Sequence, residues 1–588
     1  MIVKFENTVI SFSSAKGKLK RYRLYRFLII TASMILPFGS WVYSQTGPGG
    51  VGNSASNRLW LKADIGVYRD AGTTPASDGE KVQRWSDNSG NNNHANQLIV
   101  GNQPAYRINI VYNSPAIQFG GNDYIDPGAL GIAGNGAFTI MTVFKVNPGY
   151  QTGPMNNGDG DYIIDRSPDT DELTSLKLTT GNKFGFQKRD DNGNFLGGPV
   201  STSTISTANF TLIDYLREPL PRSFYRLFLN GAQESQTADG DGILTPPRPR
   251  IGRHYDNANN GLNGYIAEVI IYNYRINFAQ HKIIDSYLAA KYDLNLAAAA
   301  NKYAFRATHK FEVAGIGRED ASNLHTDATS GGILNVSAPS DLNDGEYLMF
   351  GHDNGSITDW NSAEAPAQFL KIGREWKINK TGDPGNITIK FDISSLQTPP
   401  CDKLVLLRDM DGNFANATVT DLTFVSGTTY QVSGISLSDG EHITIGTRKP
   451  PVAGITPDPA MMCVGGTINL NGNPSGGTGV YVNHLWTGST SPLSATNIPD
   501  PVFSTIVPNS YNLTYTVTDA NGCSTSDNIT VVVAPQPVAP GLTKSPDEAI
   551  VCAGAPLTVT FTPGSGGAGA NTDEYRYSTD NGGSWSVW

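Results

Sequence analysis

The densest set of potential ligand side chains in the sequence is Asp87-Asn88-Ser89-Gly90-Asn91-Asn92-Asn93-His94. Asp87, Ser89, Asn91 and Asn93 put side-chain oxygens at alternate positions of a tight loop, and calcium takes about six to eight oxygen ligands. The same residue types also make an Asx-rich turn, whose side chains hydrogen-bond their own backbone. The stretch therefore reads as either a calcium loop or a self-closing turn. Weaker candidates for a calcium site or a sugar-binding rim are Asn122-Asp123, Asp159-Gly160-Asp161 and Asp256-Asn257. A sugar site also needs an aromatic platform. Trp60 and Trp85 are the nearest, but both stand in strand-like patterns and read as core.

Patterns for catalysis are missing. Two carboxylates facing one glycosidic bond arise from period-2 spacing on a strand, as E-x-D-x-(x)-E, and no such run occurs. Glu268 has no acidic neighbour two or four residues away and reads as a rim or paired carboxylate. The nucleophile elbow, the phosphate-binding loop and H-E-x-x-H are absent. Eight histidines show no ligand spacing; His94, His254 and His281 read as surface or packing residues. Asp409-Met410-Asp411-Gly412-Asn413 opens like an EF-hand, but its Gly falls at the fourth position and Thr420 stands at the twelfth, so it reads as a hairpin turn. Ser578 to Trp585 fits S-x-D-x-G-x-x-W, a structural β-hairpin motif. The residues point to a binding or structural protein and not to an enzyme.

The elements that must hold these residues are strands. Charged residues are 16% of the chain, against about 25% in an average protein, and there are 64 glycines. From Arg58 to Leu294 apolar runs alternate with turn clusters such as Asp78-Gly79, Gly120-Gly121-Asn122-Asp123 and Asn230-Gly231, the rhythm of an antiparallel sandwich. Tyr265–Tyr274 reads as a strand buried on both faces. Asn277 and Gln280 then stand at the spacing of a capping box, and Ile283, Ile284, Tyr287, Leu288 and Tyr292 fall on one helical stripe. Such a helix needs a sheet to lie on and should close a domain.

The N-terminus reads as a signal peptide over residues 1–44: a basic stretch from Lys16 to Arg26, an apolar core from Phe27 to Leu36, and Val42-Tyr43-Ser44 as a cleavage site; the alternative is a membrane anchor, since Phe27–Ser44 is an uncharged run near spanning length. Its removal takes the net charge from −10 to about −16. An acidic exported chain without a basic cluster excludes nucleic acid and anionic membranes as partners, and leaves no stable membrane span. Residues 45–57 read as a flexible tether, because Gly47, Gly49 and Gly52 match G-x-G-x-x-G without the flanking strand and helix.

Several of these stretches resemble a known family. RLWLKAD (58–64), WSDNSGNNNHANQ (85–97), AIQFGGNDYI (116–125), FTIMTVFKV (138–146), YRLFLNGAQ (225–233), NGYIAEVIIYN and IIDSYLAAKYDL follow the order seen in LamG/concanavalin A-like lectin domains of secreted proteins from gliding Gram-negative bacteria. The resemblance implies a jelly-roll sandwich over 58–296 that binds glycan or an extracellular matrix or surface protein. Residues 300–448 form a second β-rich block. There VAGIGREDASNLH (313–325) and EYLMFGHDNGS (346–356) resemble an uncharacterised domain that often follows LamG modules.

After the linker Lys449–Val452 the chain repeats itself as C-x-G-x-x-h-x-h, h being apolar, at Cys463 and Cys552. Tyr511–Val533, with its VTDANGC turn, resembles the PKD-like repeats of bacterial adhesins. That resemblance implies a PKD/Ig-like domain over 449–535 and a disulfide between Cys463 and Cys523. The bond would close a loop of about 60 residues, worth roughly 4 kcal/mol. Residues 536–588 read as a second, truncated copy, because too little chain follows Cys552 to supply a partner at the first copy's spacing. The expectation as a whole is an all-β, multi-domain protein, secreted or on the outer cell surface, adhesin-like, with calcium as its one candidate cofactor. A polysaccharide hydrolase and a plain structural spacer are the alternatives.

Overall fold

The computed structural model describes residues 46–132, 136–166, 174–189, 195–219, 224–238, 249–255, 259–552, 554–578 and 583–587. The signal-peptide reading, the rim residues Asp256 and Asn257, and part of the Ser578–Trp585 motif lie outside them.

Two sheets stack to make the first sandwich. One runs Ala232–Ala238, Phe224–Leu229, Thr211–Arg217, Phe138–Val146, Asn263–Tyr272, Ser114–Gly120, Ala105–Val111, with Asn57–Lys62 also paired to Asn263–Tyr272. The other runs Phe195–Gly197, Lys183–Arg189, Thr174–Thr179, Tyr162–Arg166, Pro249–Ile251, with Val200–Thr204 on Lys183–Arg189. Alternation sorts the side chains. Leu59, Leu61, Ile140, Phe144, Val269 and Ile271 face Ile164, Leu176, Phe184 and Phe186 across the core.

The opposite face of the first sheet is covered as well. Trp60, Met141, Val143, Leu212, Ile270 and Tyr272 pack under the helix Phe278–Tyr292. The capping box forms: Gln280 N–H donates to Asn277 Oδ1 at 2.9 Å, and Asn277 N–H donates to Gln280 Oε1 at 3.0 Å. The single stripe read from the sequence does not hold. Ala279, His281, Asp285, Ser286, Ala289 and Ala290 are buried too, because a second sandwich covers the helix from above, with Val313, Tyr347 and Met349 in the same core. A helix with no exposed face is a core helix. Its N-terminus is also held from above, where Asn277 Nδ2 donates to Leu324 O and Phe278 N–H donates to Asn323 Oδ1, both at 2.9 Å. The helix joins two sandwiches instead of closing one.

The second sandwich has a sheet in the order Asn323–His325, Phe311–Asp320, Tyr347–His352, Trp376–Thr381, His442–Arg448, Leu404–Asp409, Thr418–Asp421, and a five-stranded sheet from Asp327–Ser330 to Thr423–Ser426. Ile316, Phe350, Trp376, Ile389, Phe391 and Leu406 lie between them. In the third sandwich Ala460–Cys463 runs parallel to Ser524–Ala534, which pairs antiparallel with Asn509–Asp519, itself antiparallel to Tyr481–Gly488. Trp486 and Tyr515 fill its core, ring centroids 4.9 Å apart. Beyond it Gly541–Ser545 and Thr558–Thr562 form a two-stranded pair. The chain is an all-β, multi-sheet, multi-domain protein. No described helix is long and apolar enough to cross a membrane.

Two expectations are corrected. The disulfide joins Cys401 to Cys523, with Cα atoms 5.4 Å apart, and Cys463 is free. Cys463 is in register with Ala534, whereas Cys523 directly precedes Ser524 at the other end of the same strand. At about 3.3 Å per residue the two lie roughly 35 Å apart, far beyond disulfide reach. Cys523 sits instead in a turn against the second sandwich, where a Cβ on Gly522 would lie 3.4 Å from the Lys403 side chain. The bond therefore ties the third sandwich to the second.

The stretch read as a tether is the other correction, since Pro48, Gly49, Gly50 and Val51 are buried. Tyr272 OH donates to Val51 O at 3.0 Å and His325 Nε2 lies 3.1 Å from Gly50 O. A Cβ on Gly50, whose φ is +76°, would sit 2.7 Å from the Ala328 Cβ. Glycine permits this backbone to enter a gap that no other residue fits.

Candidate functional site

Where the first and second sandwiches meet, a cleft of about 490 Å³ opens. Its walls come from strands of both. Along Asn57–Lys62, Leu59 and Leu61 turn into the first core, so Trp60 and Lys62 turn toward the junction. Trp60 is anchored by its indole N–H, which donates to Glu268 Oε1 at 2.7 Å, and Lys62 Nζ lies 4.3 Å from the indole ring centre. Behind them is a closed polar network. Glu268 Oε1 also accepts from Tyr287 OH at 2.9 Å, and Oε2 accepts from Lys291 Nζ at 2.9 Å and Tyr292 OH at 2.7 Å. Glu268 is the paired carboxylate that its isolated position in the sequence suggested. Lys291 also reaches Asp64 at 2.9 Å. Burial pushes the Asp64 carboxyl up, but Lys291 and Lys62 outweigh that and hold it below its usual range.

The second sandwich supplies the opposite wall. Pairing of Phe311–Asp320 with Tyr347–His352 slips between Phe311 and Ala314, and Glu312 in the slip has φ +44°. A bulge of this kind re-aims side chains. It presents Phe311, 37% exposed, and Glu312, whose Oε1 lies 3.7 Å from Lys62 Nζ. The Phe311 ring stacks at 18° on His352. His352 Nδ1 accepts from Asn354 N–H at 3.0 Å, so the ring proton is on Nε2, a buried donor with no partner. Burial, helped by Arg374 and His309, pushes the His352 imidazole down to about 3, so it stays neutral. Nε2 lies 3.8 Å from where a Gly331 Cβ would be, and Gly331 and Gly332 line the cleft without side chains to fill it. The site thus offers one aromatic face, one unmatched N–H, and two cations, Lys62 and Arg374, balanced by Asp64 and Glu312.

The loop singled out in the sequence lies directly behind this wall. Asp87 Oδ1 accepts from Trp60 N–H at 3.0 Å and Ser89 N–H at 2.9 Å; Oδ2 accepts from Ser89 Oγ at 2.8 Å and Asn93 N–H at 2.9 Å. Asn91 Nδ2 donates to Asn57 O and Asn93 Nδ2 to Arg58 O, at 2.7 and 2.8 Å. Four donors occupy the one carboxylate, and in this arrangement the loop closes on its own backbone and on the strand beside it. It is an Asx turn that staples the strand carrying Trp60, and its Asn88 lines the cleft.

Asn122 and Asp123 are elsewhere. Asp123 Oδ2 accepts from Gly120 N–H at 2.8 Å, and Asn122 O accepts from Arg253 at 3.0 Å. Asp161 directly precedes the strand Tyr162–Arg166, its carboxyl pushed up to about 6 by burial against one hydrogen bond from Gln151 N–H. Trp85 is fully buried. Asp409 and Asp411 accept from backbone N–H groups of their own turn.

Two histidine–carboxylate clusters carry no signal of spacing, because their members are far apart in the chain. In one, Glu375 Oε1 accepts from His309 Nε2 at 3.2 Å and His442 Nδ1 at 2.9 Å. The other joins Asp214, His281 and Asp285.

No curated protein matches the chain. A family model described as a domain of unknown function (DUF8202) matches residues 280–441, less than half of the chain, and begins inside the helix. Among solved structures, the chain is similar to Domain 4 of AbnA, a GH43 extracellular arabinanase from Geobacillus stearothermophilus, in complex with arabinotriose. That likeness has 14% identity over 39% of this chain and 97% of that one, TM-score 0.26. Another is to Ruminococcus gnavus IT-sialidase CBM40 bound to alpha2,3 sialyllactose, with 12% identity over 29% and 94%, TM-score 0.22. A third is to the botulinum neurotoxin serotype D ligand binding domain in complex with N-acetylneuraminic acid, with 11% identity over 82% and 97%, TM-score 0.29.

Proposed function

We propose that this chain is an exported surface protein that binds a saccharide in the junction cleft, and that the third sandwich serves as a stalk. In this reading the first sandwich is a LamG/concanavalin A-like jelly roll and the third a PKD/Ig-like module. The observation that carries it is the pairing of the exposed Phe311 ring with the unmatched His352 Nε2–H in a cleft of balanced charge. A sugar ring lays C–H groups on an aromatic face and offers hydroxyl oxygens to donors, while a buried donor without a partner costs about 1–3 kcal/mol. A glycan array probed with the chain, followed by titration of the best hit against Phe311→Ala, tests the proposal. Binding that weakens at least tenfold in the variant supports it. A blank array, or equal binding by the variant, rejects it.

A further inference from the structure

Under the shared helix, on the side that meets the first sheet, three ionisable side chains are sealed from solvent. Asp214 comes from the strand Thr211–Arg217, while His281 and Asp285 lie one turn apart on the helix and so share a face. His281 Nε2 is 2.9 Å from Asp214 Oδ2 and 3.7 Å from Asp285 Oδ1, and one ligand atom from each residue lies within 4.8 Å of the others. Neither carboxylate side chain has any exposed surface. Phe228 packs against the imidazole, ring centres 4.4 Å apart, and Gly231 leaves room beside Asp285, since a Cβ there would lie 3.0 Å from Oδ2.

The hydrogen bonding here does not close. Asp214 Oδ1 and both oxygens of Asp285 are buried and receive no donor from any other residue, and the two carboxyls lie within reach of each other, which requires a shared proton or a cation between them. Glu268, in the same layer, takes four donors. Lys282, the helix cation beside the cluster, is spent on Glu319 of the second sandwich. Two adjacent carboxylates in a dry layer cost several kcal/mol unless a proton or a cation joins them.

The donor set decides which. A neutral imidazole and two carboxylates carry two negative charges, which a dication neutralises. Donor separations of 2.9 and 3.7 Å suit a centre about 2.0–2.2 Å from each ligand atom, as in zinc sites. The imidazole nitrogen disfavours calcium and magnesium, which choose oxygen. We propose that Asp214, His281 and Asp285 bind a transition-metal dication of the zinc class, which pins the shared helix to the first sandwich.

The test is elemental analysis of the full chain, purified without chelator or a metal-affinity column, followed by melting before and after chelator dialysis and after addition of zinc alone. About one equivalent of metal per chain is expected, with a melting temperature several degrees lower on removal and restored by zinc. Asp285→Asn and His281→Gln should each lose the metal. The wild-type metal content stands even if either variant fails to fold. No metal in the untreated chain, with no response to zinc, overturns the proposal and leaves a carboxyl pair sharing one proton. Full metal content in folded Asp285→Asn overturns it equally, by placing the ion elsewhere.

Discussion

Replacing Glu268 by Gln keeps the side chain's shape and removes a charge from a point where four donors converge. Whichever way the new amide turns, its NH2 faces two of them. On the Oε2 side it meets the Lys291 ammonium, and on the Oε1 side the Trp60 N–H, neither of which accepts a hydrogen bond. Lys291 keeps Asp64 at 2.9 Å, so it is not stranded. The loss is then one charge-assisted hydrogen bond, about 1.5–3 kcal/mol, plus an unmatched buried donor, about 1–3 kcal/mol. We expect Glu268→Gln to lose about 3–5 kcal/mol in urea unfolding followed by tryptophan fluorescence, for which Trp60 is a local reporter. Adding Lys291→Met should cost less than the sum of the single changes, by about 1.5 kcal/mol or more. A loss under about 1 kcal/mol, or strict additivity, would refute the network as drawn.

Three further outcomes follow from the geometry. A non-reducing peptide map should show Cys401 linked to Cys523 while Cys463 and Cys552 alkylate without reduction; closing 122 residues is worth up to about 5 kcal/mol, so Cys401→Ala should lower the unfolding midpoint. Burial holds His325 down to about 4. The unfolded chain therefore takes up the proton first, near pH 6.5, and this contribution is present above that pH and lost as pH falls toward 4. Its size is roughly 3 kcal/mol, and His325→Gln should flatten the pH–stability curve in that window. Added calcium should leave the melting temperature unchanged, whereas Asp87→Ala, which strands four donors, should cost about 2–4 kcal/mol by urea titration.

What the sequence shows is local. The capping box at Asn277 and Gln280, the two-sided burial of the strand ending at Tyr272, and the Asx chemistry of Asp87–Asn93 depend on neighbours a few residues away, and all can be read directly. The helix's second buried face cannot, because it is set by Val313, Tyr347 and Met349 of another sandwich. The disulfide is illegible for the same reason: the PKD-like resemblance brings Cys463 and Cys523 into one domain but says nothing of which end of a strand each occupies. Phe311 gave no signal, since its exposure is created by a register slip at Glu312. Asp214 stands 67 residues from His281, so no spacing rule joins them.

Hydrogen–deuterium exchange of the chain with and without its best array glycan tests the central claim most directly. Protection is expected only at the backbone around Phe311–Val313, Gly331–Gly332 and His352–Asn354, with that of the sheet carrying Lys183–Arg189 and Thr174–Thr179 unchanged. Protection of Lys183–Arg189 and Thr174–Thr179 with none at the junction would contradict it.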